Sequence, residues 1–256
     1  YRSLLLNWRE AWSAAWQQGA GITLHLRSGM TIVSDPKDTA IGVFHEIFVE
    51  RCYVPPWFYV PRPGHRVLDV GANIGVFSLF LNTEAPGIRI YAFEPHPETY
   101  RYLSRNLAEN RLDHAVKHHQ LALASGPGEV RFMIPPESDE LASGHRAALS
   151  SGQGLKVEAI GLADAMEMAD GGAFDLLKVD TEGAEADIIL NAPMTVWENI
   201  DRVAVEFHDL TKRDQVKDRL ALAGYQCQVL PTPGYEHRLG LILAWKPAAK
   251  RVRNER

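Results

Sequence analysis

The 256-residue sequence predicts an α/β fold: a Rossmann-like, seven-stranded, mostly parallel sheet with a C-terminal antiparallel hairpin, preceded by an N-terminal helix–hairpin–helix extension. Three observations predict it. From Arg66 onward, short apolar runs alternate with amphipathic segments, as in a parallel sheet covered by helices on both faces. The last two β-rich runs, 225–230 and 239–245, are joined by a Pro- and Gly-bearing stretch with no room for a crossover helix, so they must be antiparallel. The first apolar run passes into Gly71-Ala72-Asn73-Ile74-Gly75 and then a helical segment, a strand–turn–helix unit.

Within residues 1–60, Trp8, Trp12 and Trp16 repeat every fourth residue. With Leu4 and Leu5 they predict one face of a helix docked on the main domain, a dimer or substrate-cap surface being the alternative. Runs 22–26 and 30–33 predict two strands joined by Arg27-Ser28-Gly29. Segment 39–53 has helical spacing through Ile41, Phe44, Ile47 and Phe48, and Pro55, Pro56, Pro61, Pro63 and Gly64 then end helix formation. Parallel strands follow at 66–70, 88–93, 116–123, 174–180 and 201–207, with helices at 75–81 and 97–110, Pro97 lying in the first turn. Residues 128–160 read as an insertion, two pairing strands at 129–134 and 154–160 around a polar loop, 135–152. The expected division is an extension (1–60), an α/β domain (61–248) and a basic tail (249–256).

Composition narrows the partners. Hydrophobic residues are 46% and charged residues 23%, an ordinary globular balance. A net charge of -5 disfavours nucleic acid, and Lys250, Arg251, Arg253 and Arg256 read as a frayed end. No apolar run approaches the roughly 20 residues of a membrane span. Cys52 and Cys227 form neither a ligand spacing nor a disulfide framework, which fits a reducing cytoplasm. A start without Met and a basic, polar end agree with a domain excised from a larger synthase, and a homodimer stays open.

The Gly71–Gly75 turn lies at the carboxyl end of a parallel strand, where open α/β sheets bind ligands, and its glycines are expected to let backbone approach a ligand. A dinucleotide fingerprint needs G-x-G-x-x-G, so that a pyrophosphate can sit on the helix N-terminus. Asn73 stands in place of the middle glycine, and the Asp69 charge would oppose a pyrophosphate. A zwitterionic sulfonium meets no such objection, because its cationic groups favour nearby carboxylates. Glu94, followed by Pro95 at the end of the second strand, can accept both ribose hydroxyls. Asp69, Gly71, Asn73, Gly75, Glu94 and Pro95 therefore predict a site for S-adenosylmethionine, with S-adenosylhomocysteine as product.

These residues resemble those of the FkbM-type methyltransferases. The matching pieces are Val67-Leu68-Asp69-Val70-Gly71-Ala72-Asn73-Ile74-Gly75, then Ala92-Phe93-Glu94-Pro95-His96-Pro97 with Asn106 and Asn110. The most specific is Leu177-Lys178-Val179-Asp180-Thr181-Glu182-Gly183-Ala184-Glu185, followed by Glu206 on the next strand. Together they cover roughly residues 40–208. The resemblance implies a class I methyltransferase fold, methyl transfer usually to a hydroxyl, and small-molecule, carrier-bound or glycan acceptors such as polyketides, peptides and sugars. It also implies backbone contacts to the adenine edge near Ala122.

An alcohol must lose its proton during attack, so a general base or a metal is expected. Asp180, also a candidate cofactor contact beside the turn, falls with Glu206 and His208 at neighbouring strand ends on one rim. His208 has the residue type whose ordinary pKa suits base work near neutrality, with Asp180 or Glu206 orienting it or holding the hydroxyl. A Mg²⁺ site at Asp180, Glu182, Glu206 and Asp209 is the alternative, though the Glu206-Phe207-His208-Asp209 order departs from known metal-dependent patterns, and no metal ligand is assigned. Glu185 reads as charge stabilisation of a helix start. Glu46, on the helix before the domain, is a candidate contact for the cofactor's amino group, and Tyr53 could line the same pocket. Competing readings are N-methylation, a non-catalytic scaffold, and NAD-dependent oxidoreduction, which Asn73 disfavours.

Overall fold

A computed structural model describes residues 1–14, 22–34, 40–133, 148–149, 154–231 and 239–247. Trp16, most of the 135–152 loop, the 232–238 connection and the 249–256 tail lie outside the described residues. The extension comprises α1 (Trp8–Ala14), the antiparallel pair β1 (Thr23–His25) and β2 (Thr31–Val33), α2 (Ala40–Phe44), and a π-helical stretch, His45–Glu50. The α/β part begins with β3 (Arg66–Val70), α3 (Val76–Glu84), β4 (Arg89–Phe93), α4 (Pro97–Glu109) and β5 (Val116–His119). Next comes β6 (Ala122–Leu123), and the insertion carries β7 (Gly128–Met133), β8 (Ala148–Leu149) and β9 (Leu155–Ile160). Then come α5 (Leu162–Met168), β10 (Leu176–Val179), α6 (Glu185–Asn191), α7 (Met194–Glu198), β11 (Arg202–Phe207), α8 (Leu210–Leu222), β12 (Gln226–Pro231) and β13 (Gly240–Trp245).

The seven-stranded sheet has the order β12-β13-β11-β10-β3-β4-β5. Only β13 is antiparallel, to β11 and to β12, so the expected fold class is the one found. Strand order reverses between β3 and β10, which opens a crevice above their carboxyl ends. Alternate strand residues feed two cores. Val67, Ile90, Leu176 and Ala204 face α3, α4 and the extension, while Leu68, Tyr91, Leu177 and Val203 face α5, α6 and α8. The first core runs without a break from Leu5, Leu24 and Phe44 to Phe77 and Leu103, so the extension shares the domain's interior.

Asn106 of α4 and Asn110, its C-cap, hold the hairpin in place. Asn106 accepts from the Val33 N–H and donates to the Val33 carbonyl, and Asn110 does the same for Thr31, all at 2.7–3.0 Å. Each side-chain amide thus satisfies a donor and an acceptor that β2 would otherwise leave open.

Three expectations need correction. The tryptophan stripe is docked only in part: helix begins only at Trp8, which packs half-buried against the core, Leu5 instead forms a β-bridge with Leu26, and α1 buries Ala11 while Trp12 is 54% exposed. The 116–123 run is two strands. It leaves the edge of the main sheet after His119, and Ala122 pairs with Ala159 in a second sheet of order β6-β9-β7-β8. The 39–53 segment is not a regular α-helix. It widens to π-helix at His45 and stops at Arg51, which is left-handed (φ 55°), and Tyr53 lies just beyond this stop.

Candidate active site

The turn after β3 is clamped from both sides. Gly71 and Ala72 donate their N–H groups to the Phe93 carbonyl at 2.9 and 3.0 Å, and Asn73 (φ 51°) donates its N–H to Glu94 Oε2 at 3.0 Å. On the other side, a Cβ on Gly71 would lie 1.6 Å from the Asp180 carbonyl oxygen, and Gly71 also has φ 74°. Glycine is needed there so that β10 can approach the turn, and Gly75 makes room for Leu103 in the same way. The glycines expected to admit a ligand thus also admit protein.

Lys178 links the pieces. It lies in an otherwise apolar strand, with its side chain 4% exposed. Nζ donates to the Gly71 carbonyl at 2.6 Å and stands 3.4 Å from Asp69 Oδ1 and 3.5 Å from Asp180 Oδ2. Burial lowers its pKa, but the Asp180, Asp69 and Glu206 charges outweigh burial and the net shift is upward. Asp69 is fully buried. Burial raises its pKa against Lys178, its Oδ2 accepts from Ser78 Oγ at 3.0 Å, and its Oδ1 has no hydrogen-bond partner. Sequence reasoning passed over Lys178, although a lysine inside Leu176-Leu177-Lys178-Val179 is the signal that could have found it.

Glu94 is buried, with Oε2 taken by Asn73 N–H and Oε1 by His96 N–H at 2.9 Å. Burial pushes its pKa to about 7 against these two donors. Pro95 leads into His96, which caps α4 by accepting from Thr99 N–H.

At the rim, β10 and β11 bring Asp180 and Glu206 together around Tyr53. The buried phenol lies 2.9 Å from Asp180 Oδ2 and 2.5 Å from Glu206 Oε2. Burial, then the Asp180 charge, raise Glu206 to about 8. Glu46 sits at the surface of the π-helical stretch; partial burial, then the Asp180 and Glu50 charges, raise its pKa.

His208 is not placed as a neutral base. Its Nδ1 meets Glu185 Oε1 at 3.1 Å and its Nε2 meets Glu182 Oε2 at 3.2 Å. Burial lowers its pKa, but Glu185, Glu182 and Asp180 override burial and lift it to about 10, so the ring is an imidazolium at neutral pH. Glu185 does more than favour a helix start. Its Oε1 also accepts from Thr181 N, Thr181 Oγ1 and Gly183 N, pinning the 180–185 turn in which Glu182 is left-handed (φ 56°).

One ligand atom each from Asp180, Glu185 and His208 lies within 4.8 Å of the others. These residues fit a cation poorly, because Glu185 Oε1 already accepts four hydrogen bonds and both His208 nitrogens face carboxylates. Asp209, part of the Mg²⁺ alternative, instead caps α8 through Thr211 N–H at 2.8 Å.

Among the described residues, no helix is long and apolar enough to cross a membrane. The family model of the methyltransferase FkbM domain matches residues 69–230, more than half of the chain. The chain is similar to 31-O-demethyl-FK506 methyltransferase FkbM of Streptomyces tacrolimicus, 28% identical over 216 residues (73% of this chain, 82% of that protein). It is 33% identical over 195 residues to methyltransferase sdnD of Sordaria araneosa (64% and 73%). Its fold resembles that of methyltransferase FkbM from Methylobacillus flagellatus, with a TM-score of 0.54 at 13% identity, covering 93% of this chain and 59% of that one. With the cradle around Gly71, the Asp180 rim and this match in agreement, the chain belongs to the FkbM methyltransferase family and is a methyltransferase.

Proposed function

We propose that the chain transfers a methyl group from S-adenosylmethionine to a hydroxyl of a natural-product or glycan acceptor, with Asp180 as general base. The observation that carries this reading is the double position of Asp180: its backbone is packed against the cofactor turn at Gly71, and its carboxylate stands on the open rim beside Tyr53. The residues around the crevice fit the donor. Each Glu94 oxygen takes one backbone N–H and keeps a lone pair, as a vicinal ribose diol requires. Glu46 at the mouth supplies negative charge suited to an amino group, and Asp69, ion-paired with Lys178, braces the turn from beneath. Ala122 would approach adenine with its backbone. The 1–60 segment serves as a cap, since Glu46 and Tyr53 come from it.

When bound, S-adenosylmethionine supplies an electrophilic methyl group whose bonding pair leaves with sulfur. Asp180 accepts the acceptor's O–H proton as the new O–C bond forms. His208 steadies the 180–185 turn as a cation instead of taking the proton, and no step passes through a metal ion. The name of the Streptomyces relative, which specifies a 31-O-demethyl substrate, supports an oxygen acceptor.

Calorimetry with S-adenosylhomocysteine tests the donor: saturable heat with wild type, lost in Glu94→Ala, is expected, and no heat from folded wild type would overturn it. For the acceptor, labelled methyl transfer to a hydroxylated polyketide should give a stable ether. Label found on an amine instead would refute oxygen transfer.

A further inference from the structure

The contacts around Tyr53 contain more oxygens than its one proton can serve. Asp180 Oδ2, Tyr53 Oη and Glu206 Oε2 form a row with separations of 2.9 and 2.5 Å. Two oxygens that close repel unless a proton lies between them, so two contacts require two protons. The phenol brings one. Burial and the facing carboxylates push Tyr53 well above its ordinary pKa, so it keeps that proton. The second belongs to a carboxyl group.

The surroundings decide which. Asp180 has Lys178 Nζ 3.5 Å away, and its side chain is 24% exposed. Glu206 has Tyr53 as its hydrogen-bond partner and faces Asp180, Glu46 and the Cys52 thiol, with His208 the cation that opposes them and Lys178 more closely engaged with Asp69, Asp180 and Gly71. The burden of holding a proton falls on Glu206. The phenol then accepts from Glu206 and donates to Asp180.

We propose that Tyr53 is a positioning residue for methyl transfer, orienting a directed row Glu206–H → Tyr53–H → Asp180⁻ that keeps Asp180 ionised and aimed at the rim. This rests on the reading of Asp180 as the base. The row is not a step of the reaction: the acceptor's proton goes to Asp180, and nothing is oxidised or reduced. It gives the N-terminal extension, which lies outside the 69–230 family match, a part in the chemistry. It also separates two similar carboxyl groups into an acid and a base by the direction of one hydroxyl.

Carboxyl-¹³C NMR titration of the full chain, labelled in Glu and Asp, reads the row directly without an acceptor. In wild type, one Glu signal should titrate near pH 8, and Glu206→Gln should remove it. In Tyr53→Phe that midpoint should fall by about one pH unit, because the Glu206 acid loses its acceptor. The ring remains to pack edge-on against Phe77, so the variant should fold, with the circular dichroism and unfolding transition of wild type. A Glu206 midpoint in the ordinary carboxylate range would overturn the proposal. So would a midpoint that stays or rises in Tyr53→Phe, since the phenol would then be spectator or donor to Glu206. A wild-type chain that titrates as expected but gives no heat with S-adenosylhomocysteine would instead sink the cofactor reading and leave the row standing.

Discussion

Replacing Lys178 with Met tests whether the buried cation holds the site together. Met keeps the volume and unbranched shape, so the packing cost is small. The electrostatic cost is large, because Asp69 is fully buried and would keep its charge with only the Ser78 hydroxyl for support. Removing one partner of a buried ion pair costs about 3–5 kcal/mol. The lost Nζ bond to the Gly71 carbonyl adds about 1 kcal/mol. A total of about 5 kcal/mol should lower Tm by about 15 °C in a chain of this size. Urea unfolding at pH 8 measures it. The sign with pH is also fixed. Burial raises Asp69 above its unfolded value, and loss of Lys178 raises it further, so the deficit should shrink as acid protonates that carboxyl. Adding Asp69→Asn removes the stranded charge while keeping an acceptor for Ser78, and should recover more than half the loss. A single-variant cost below about 1 kcal/mol, the size of a surface pair, would refute the reasoning. So would a double variant no more stable than the single.

Glu94 titrates at about 7 and must be ionised to accept a diol, so S-adenosylhomocysteine affinity should be flat above pH 7 and fall about tenfold per pH unit below it. Calorimetry across that range would refute this if the wild-type profile were level, and Glu94→Gln should bind weakly at every pH. For His208, the folded pKa of about 10 exceeds the ordinary 6.5, so its stabilisation is present in full below pH 6.5 and is lost as pH rises through about 10. The stability deficit of His208→Gln should therefore shrink across that interval. A deficit that grows with pH would show a neutral ring.

Much of the architecture was legible because it rests on local patterns. The runs at Val67, Ile90, Leu177 and Val203 are apolar on both faces, which only a doubly covered sheet explains, and the short connection before Gly240 leaves no option but a hairpin. Asp69, Gly71 and Glu94 could be picked out because strand ends and turns mark themselves. What escaped depends on contacts between distant residues. His208 looks like a base until Glu185, 23 positions away, is seen to hold it as a cation. Tyr53 meets Asp180 across 127 residues, after a π-helical stretch whose widening no periodicity announces. Strand 116–123 reads as continuous because its break answers to β9, which the chain supplies only later.

The pairing of Asn106 and Asn110 with β2 also governs what the molecule avoids. A two-stranded ribbon normally leaves one rail of unpaired amides and carbonyls on each strand, an invitation for another chain to add a strand. Here two side chains one helical turn apart occupy that rail at Thr31 and Val33. The β2 side of the ribbon is thereby closed to self-association by a helix, and the amides of Thr31 and Val33 should exchange with solvent as slowly as those of an interior strand. Because that helix begins immediately after Glu94-Pro95-His96, the element that seals the ribbon also anchors the carboxylate assigned to the ribose.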